Sequence, residues 1–349
     1  MNRMMLHTIL LCCLCMTSCS DNEGNEPVLL PDQEQEEPDT PDRPQENKGH
    51  LTTASTVKDV IEHEAFAGFG QFILPAERRY DDDLPLRNVA GMLPYHNYVT
   101  GERAVETINT MIDYVQNGNR LFYNIYSDAE KQADPRKNDT GLFFFRGEPG
   151  RPFAIVCPGG GWSYVGAIHE GFPLAIALSR MGYNAFSIQY RTGGAQVACE
   201  DLAQAIDFIM HHAGELQVST EDNSLWGGSA GARMAAYLGS YSTQGFINAD
   251  NPRPAAVIMG YTGHTDYTRN DPPTYVVIGD NDGIASASVM WRRVENLRAA
   301  GIDAEFHLFP NLRHGFGLGI GTNAEGWEKE AVKFWEKYIS CKNGISYGK

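Results

Sequence analysis

The sequence predicts an α/β protein with a mostly parallel sheet covered by helices on both faces. Three observations carry that prediction. From residue 121 onward, short apolar runs alternate with stretches of helical length, the order expected when parallel strands are joined through helices. The run Phe153–Cys157 is apolar throughout, as a strand buried on both faces must be. Glycine-rich or reactive residues recur just after the runs, at the strand ends where open parallel sheets bind ligands.

Residues 1–18 open with Arg3 and continue through an apolar core, Ile9-Leu10-Leu11-Cys12-Cys13-Leu14-Cys15-Met16. That core is too short for a mature membrane span and suits a signal peptide. Its end, Met16-Thr17-Ser18-Cys19, resembles the lipobox of bacterial lipoproteins. The resemblance implies lipidation of Cys19, no membrane contact beyond that anchor, and an outer-membrane location in the cell envelope. The Ser-Asp-Asn-Glu after Cys19 is similar to the export signal of surface lipoproteins in the Bacteroidetes. Ordinary secretory cleavage near Ser18 or Ser20 is the alternative.

Residues 19–50 read as an acidic, Pro-rich tether. Between Ser20 and His50 the hydrophobic residues are Val28, Leu29 and Leu30 alone, too little apolar surface to fold. Ten acidic residues against two basic ones place half of the net charge of -16 there. This acidity speaks against nucleic-acid binding, which needs a basic face. Residues 51–119 read as an extension packed on the core. In it a helix follows Thr100-Gly101, with Val105, Ile108, Met111, Ile112 and Val115 on one face and Gly118 as its stop.

Residues 120–349 form the main domain. Runs at 121–126 and 142–145 predict an antiparallel opening pair. Six more follow at 153–157, 184–189, 225–226, 255–259, 274–278 and 304–309, for eight strands. Helices are expected at 172–181, 198–212, 232–238, 286–300 and 324–339. Only residues 261–273 separate the sixth and seventh strands, so no large cap domain is inserted there. Outside the signal, Cys157, Cys199 and Cys341 are odd in number and lack metal-type spacing, so a disulfide framework is not expected; no ligand cluster suggests a metal, and no cofactor is expected.

Four strand ends carry chemistry. Gly227-Gly228-Ser229-Ala230-Gly231 fits G-x-S-x-G between a strand and a helix, a turn that exposes a strained serine. Pro158-Gly159-Gly160-Gly161-Trp162 after the third strand leaves backbone N–H groups free to face an anion. Gly279-Asp280-Asn281-Asp282 follows the seventh strand, and His314-Gly315-Phe316 lies beyond the eighth.

Together these motifs resemble the α/β-hydrolase superfamily, and within it the lidless acetylxylan and feruloyl esterase branch of carbohydrate esterases; the resemblance spans residues 121–339. It implies Ser229 as nucleophile, His314 as base and Asp282 as the orienting acid. The N–H groups of Gly160, Gly161 and Ala230 then form the oxyanion hole. The implied activity is a serine carboxylesterase acting on acyl esters, acetyl foremost, borne by a carbohydrate or another small alcohol. A serine peptidase for short peptides and a non-catalytic glycan-binding lipoprotein are the other readings. Asp280 and Asp266 are rival acids. His264 and His307 are expected to be structural or at the rim, and His211 and His212 to cap a helix. Trp162, Tyr164 and Tyr190 are candidate substrate contacts, Tyr190-Arg191 being equally suited to holding a loop. One departure from the family pattern is Pro158, which stands where the oxyanion-loop histidine is usual.

Overall fold

A computed structural model describes residues 49–75 and 81–340. The signal, Cys19, the acidic tether up to residue 48 and Cys341 lie outside the described residues. Among the described residues no helix is long and apolar enough to cross a membrane.

Eight strands form one sheet: β1 (Phe122–Tyr123), β2 (Gly141–Phe145), β3 (Phe153–Cys157), β4 (Asn184–Gln189), β5 (Ser224–Gly228), β6 (Ala256–Gly260), β7 (Thr274–Gly279) and β8 (Ala304–Phe309). Their spatial order is β1-β2-β4-β3-β5-β6-β7-β8. Every residue of β3 to β7 is buried, which is why β3 and β6 read as unbroken apolar runs, while β4 also buries Asn184, Ser187 and Gln189. The edge strand β8 has half-buried and exposed positions. One antiparallel pair was expected and two are found, because β2 lies between β1 and β4 and opposes both. The chain passes from β2 to β3 and only then returns to fill the place beside β2 with β4.

The helices are α1 (Val57–Ile61), α2 (Gly101–Gln116), α3 (Asp128–Ala133), α4 (Phe172–Arg180), α5 (Ala195–His211), α6 (Ala213–Leu216), α7 (Ala230–Tyr241), α8 (Ala287–Ala299) and α9 (Trp327–Glu336). Helix α2 starts where Thr100 accepts a hydrogen bond from Arg103 N and buries Ala104, Ile108, Met111 and Ile112, a spacing that forms one stripe. Helix α9 begins three residues later than its apolar pattern suggested. The turns before it need Gly319, Gly321 and Gly326 at positive φ, a conformation that interrupts a helix.

The segment before α2 is built mostly of short 3₁₀ turns. Phe66, Ile73, Val89 and Leu93 in it are fully buried, and Phe69 stacks on Phe122 of β1 at 5.1 Å. Its apolar residues belong to the same cluster as those of the sheet.

Candidate active site

Ser229 follows β5 as the N-cap of α7, with φ 51° and ψ -115°, a region that costs a non-glycine residue about 1–3 kcal/mol. The turn is possible because its neighbours are small. A side-chain carbon on Gly231 would overlap the Cys157 carbonyl, and one on Gly227 would overlap the Gly231 peptide. Strand and helix therefore cross at backbone contact, with the hydroxyl at the tip.

His314 Nε2 lies 2.9 Å from Ser229 Oγ. Its Nδ1 lies 2.7 Å and 2.9 Å from the two carboxylate oxygens of Asp282. The His314 and Asp282 side chains are 3% and 1% exposed. Asp282 Oδ1 also accepts from Ile284 N at 2.8 Å and Ala285 N at 2.7 Å, so backbone donors fix the carboxylate before the histidine meets it. The rival acids are occupied elsewhere. Asp280 accepts from Asn311 N at 2.5 Å, joining the loops after β7 and β8, and Asp266 accepts from Tyr241 Oη at 2.7 Å.

In the glycine loop, Gly160 and Gly161 have φ of 140° and 62°. Ala230 is the first residue of α7, and its N–H is one of those a helix start leaves without an intrahelical acceptor. The glycine loop meets the serine at Gly159, where an added side-chain carbon would fall 3.0 Å from Ser229 Cβ.

Two of the proposed aromatic contacts are corrected. Tyr164 is fully buried; its hydroxyl accepts from Tyr95 N at 3.2 Å and meets His96 Nδ1 at 2.8 Å. Tyr190 is likewise buried, and its hydroxyl donates to Pro158 O at 2.8 Å. Both sit behind the glycine loop, where a substrate has no access. The adjacent Arg191 is held by Asp201 at 2.8 Å and Asp134 at 3.0 Å, a loop-holding pairing. Trp162 alone of the three is partly exposed, its ring perpendicular to Tyr190 at 6.4 Å.

The remaining histidines take no part in the Ser229–His314–Asp282 line. His264 is buried against Tyr237, and its pKa falls to about 3, mainly through burial and then through Arg293 and Arg233. His307 meets Glu305 at 3.0 Å. His211 and His212 contact the carbonyls of Asp207 and Phe208, each at 2.8 Å, at the end of α5.

Four nearby residues were not singled out from the sequence: His96, Asn97, Glu170 and Tyr261. Asn97 donates from Nδ2 to His314 O at 2.6 Å, and its own N–H donates to Gly315 O at 3.1 Å. Tyr261 presents its ring edge-on to His314 at 5.4 Å. Glu170, 3% exposed, accepts from Gly159 N at 2.5 Å. Its other oxygen lies 2.8 Å from His96 Nε2, an ion-pair distance at an angle outside hydrogen-bond geometry. Burial raises the pKa of Glu170, but His96, the Gly159 N–H and His169 outweigh burial and hold it at about 2. The carboxylate is therefore charged.

Three solved structures share this architecture. An acetyl ester-xyloside bifunctional hydrolase of Caldicellulosiruptor lactoaceticus is 19% identical and matches 63% of this chain and 97% of its own, with a TM-score of 0.55. An esterase of Thermogutta terrifontis is 19% identical over 58% of this chain and 90% of its own, TM-score 0.51. An alpha/beta hydrolase enzyme from a Medee basin deep-sea metagenome library is 24% identical over 57% and 92%, TM-score 0.50. The fold is that of the α/β-hydrolases. On this α/β-hydrolase framework the BD-FAE family model matches residues 146–268, a stretch that includes the glycine loop, Glu170 and Ser229 and ends before Asp282 and His314. An acetylxylan esterase of Xylanibacter ruminicola is 20% identical over 220 residues, covering 54% of this chain. The alignment spans 45% of that esterase, less than half its length.

Proposed function

We propose that this chain is a serine carboxylesterase that removes acyl groups, acetyl foremost, from esterified polysaccharides or oligosaccharides. The observation that carries the reading is the line Asp282–His314–Ser229, with the two ring nitrogens 2.7 Å from the acid and 2.9 Å from the hydroxyl. A serine hydroxyl is a weak nucleophile unless a base takes its proton. Ser229 Oγ attacks the ester carbonyl as its proton passes to His314 Nε2, and Asp282 stabilises the imidazolium. The N–H groups of Gly160, Gly161 and Ala230 receive the oxyanion. The intermediate collapses, the alcohol leaves with the proton from His314, and Ser229 keeps the acyl group. Water then repeats the sequence and releases the carboxylic acid.

The carbohydrate part of the proposal draws on the substrates named for the similar enzymes and on the surface around the loop. Tyr95 is 42% exposed, its ring packs against Gly161, and Trp162 is the next residue of the same loop. Aromatic faces of this kind suit the apolar face of a sugar ring. The short link between β6 and β7 leaves the approach open to a polymer.

The wild type is expected to hydrolyse p-nitrophenyl acetate and to react with a fluorophosphonate probe. Ser229→Ala should lose labelling and at least about 10⁴-fold in kcat. A folded wild type that is neither labelled nor active would refute the esterase reading. Comparing acid release from acetylated, feruloylated and methylated polysaccharides tests the acyl preference. We further propose that Cys19 anchors the domain through acyl chains. Cys19→Ala should then move the protein from the membrane to the soluble fraction; unchanged partitioning would exclude the anchor.

A further inference from the structure

We infer that Glu170 and His96 are positioning residues for the oxyanion loop. The inference rests on the esterase reading. It concerns how two glycine N–H groups come to face the reacting carbonyl.

A peptide unit is planar and trans, so its N–H and C=O point in opposite directions. Three successive units of the glycine loop are pinned. The unit joining Pro158 and Gly159 is held on both sides: its C=O accepts from Tyr190 Oη at 2.8 Å, and its N–H donates to Glu170 Oε2 at 2.5 Å. The next unit has its C=O, on Gly159, bonded to Gly166 N at 2.8 Å. The third has its C=O, on Gly160, bonded to Ser163 N at 3.1 Å and Ser163 Oγ at 2.9 Å. With those carbonyls turned one way, the Gly160 and Gly161 N–H groups must turn the other. Neither N–H has a hydrogen-bond partner among the described residues. Both glycines hold positive φ, so the chain around them is soft and its direction depends on these anchors.

Glu170 is the one charged anchor of the three units. It lies in a π-turn, Ala167–Gly171, a wide and uncommon turn frequent at functional sites. A side-chain carbon on Gly228 would fall 2.7 Å from Glu170 Oε2, so the carboxylate also lies against the last strand residue before Ser229. Burying a carboxylate is costly unless it is paired and hydrogen-bonded. Here the partners are Gly159 N–H, the Tyr261 hydroxyl and His96.

His96 comes from the N-terminal segment, far away in sequence. Its side chain is 1% exposed, and its Nδ1 is fixed by the Tyr164 hydroxyl at 2.8 Å. The residues on either side reach other parts of the site. Tyr95 N bonds Tyr164 Oη, Asn97 bonds the backbone of His314 and Gly315, and Tyr98 Oη accepts from Arg313 N at 3.3 Å. Four consecutive residues therefore tie the loop bearing the oxyanion donors to the loop bearing the base. Pro158 brings no polar side chain to that loop, and the segment supplies one.

The test compares Glu170→Gln and His96→Gln with the wild type on p-nitrophenyl acetate. A displaced donor should lower kcat by about 10- to 100-fold while KM stays within about twofold. Affinity for a trifluoromethyl ketone, whose hemiketal oxyanion occupies the same N–H groups, should weaken by the same factor. The double variant should cost no more than the worse single one, because the two act as a unit. If Glu170→Gln does not fold, Glu170→Asp keeps the charge, withdraws it by one methylene and is read the same way. An active wild type whose variants lose thermal stability but keep kcat and inhibitor affinity overturns this inference alone. A folded but inactive wild type overturns the esterase reading and this inference with it.

Discussion

Asp280 and Asp282 have the same side chain two positions apart, and only their backbone surroundings assign them different tasks. Asp282 takes two backbone N–H groups of its own loop and turns its carboxylate to His314, whereas Asp280 takes the backbone of Asn311. Asp282→Asn places an amide where His314 Nδ1 needs an acceptor, which favours the tautomer whose Nε2 carries a hydrogen and cannot accept the serine proton. That variant is expected to lose about 10⁴-fold in kcat with its fold intact. Asp280→Asn keeps an acceptor for Asn311 and should lose at most about 1 kcal/mol of stability with kcat nearly unchanged. Steady-state rates and denaturant melts on the pair decide between them; comparable loss of kcat in both would refute the assignment. Tyr164 and Tyr190 make the same point from the other side. An aromatic beside a catalytic loop reads as a substrate contact in sequence, yet both hydroxyls here face inward and hold backbone or histidine.

At the scale of elements, what could be read in advance was whatever burial writes into a local pattern. Strands β3, β4 and β8 fall where their apolar runs place them, because the period of a strand is decided within a few residues. The glycines around Ser229 were legible for a similar reason, since a strained turn and a close backbone crossing demand small residues at fixed offsets. The segment before α2 was not legible, as its 3₁₀ turns have no lasting period and its burial comes from partners such as Phe122. His96 and Glu170 were hidden for a further reason. Their pairing joins residues distant in sequence, and neither belongs to a spaced motif. The one available hint was Glu170 itself, a charge set among Val165, Ile168, Phe172 and Leu174, all of which prove buried. A carboxylate inside such a run has to be paired or exposed, and here it is paired.

For the molecule as a whole, buried titratable groups set how stability responds to acid. His264 is 3% exposed, and burial, reinforced by Arg293 and Arg233, lowers its folded pKa from 6.5 to about 3. His169, half-buried, falls from 6.5 to about 4, first through loss of solvent around its ring and then through His96. A histidine with a depressed folded value binds its proton more readily once unfolded. Its contribution is therefore intact above the ordinary value near 6.5 and is lost progressively as pH falls towards the folded value. Glu170 acts lower down: with a folded value of about 2 against 4.5, it stabilises above 4.5 and loses that contribution only below it. Each pKa unit corresponds to about 1.4 kcal/mol, so the two histidines together reach a sizeable share of a typical domain stability of about 5–15 kcal/mol. The melting temperature should be nearly flat above pH 7 and fall steadily between pH 6.5 and 5. His264→Gln, which cannot take up a proton, should flatten part of that fall even if it lowers the melting temperature at pH 7. Melts of both proteins across pH 5–8 test this, and a wild type equally stable at pH 5 and pH 7 would show that neither histidine is buried in its neutral form.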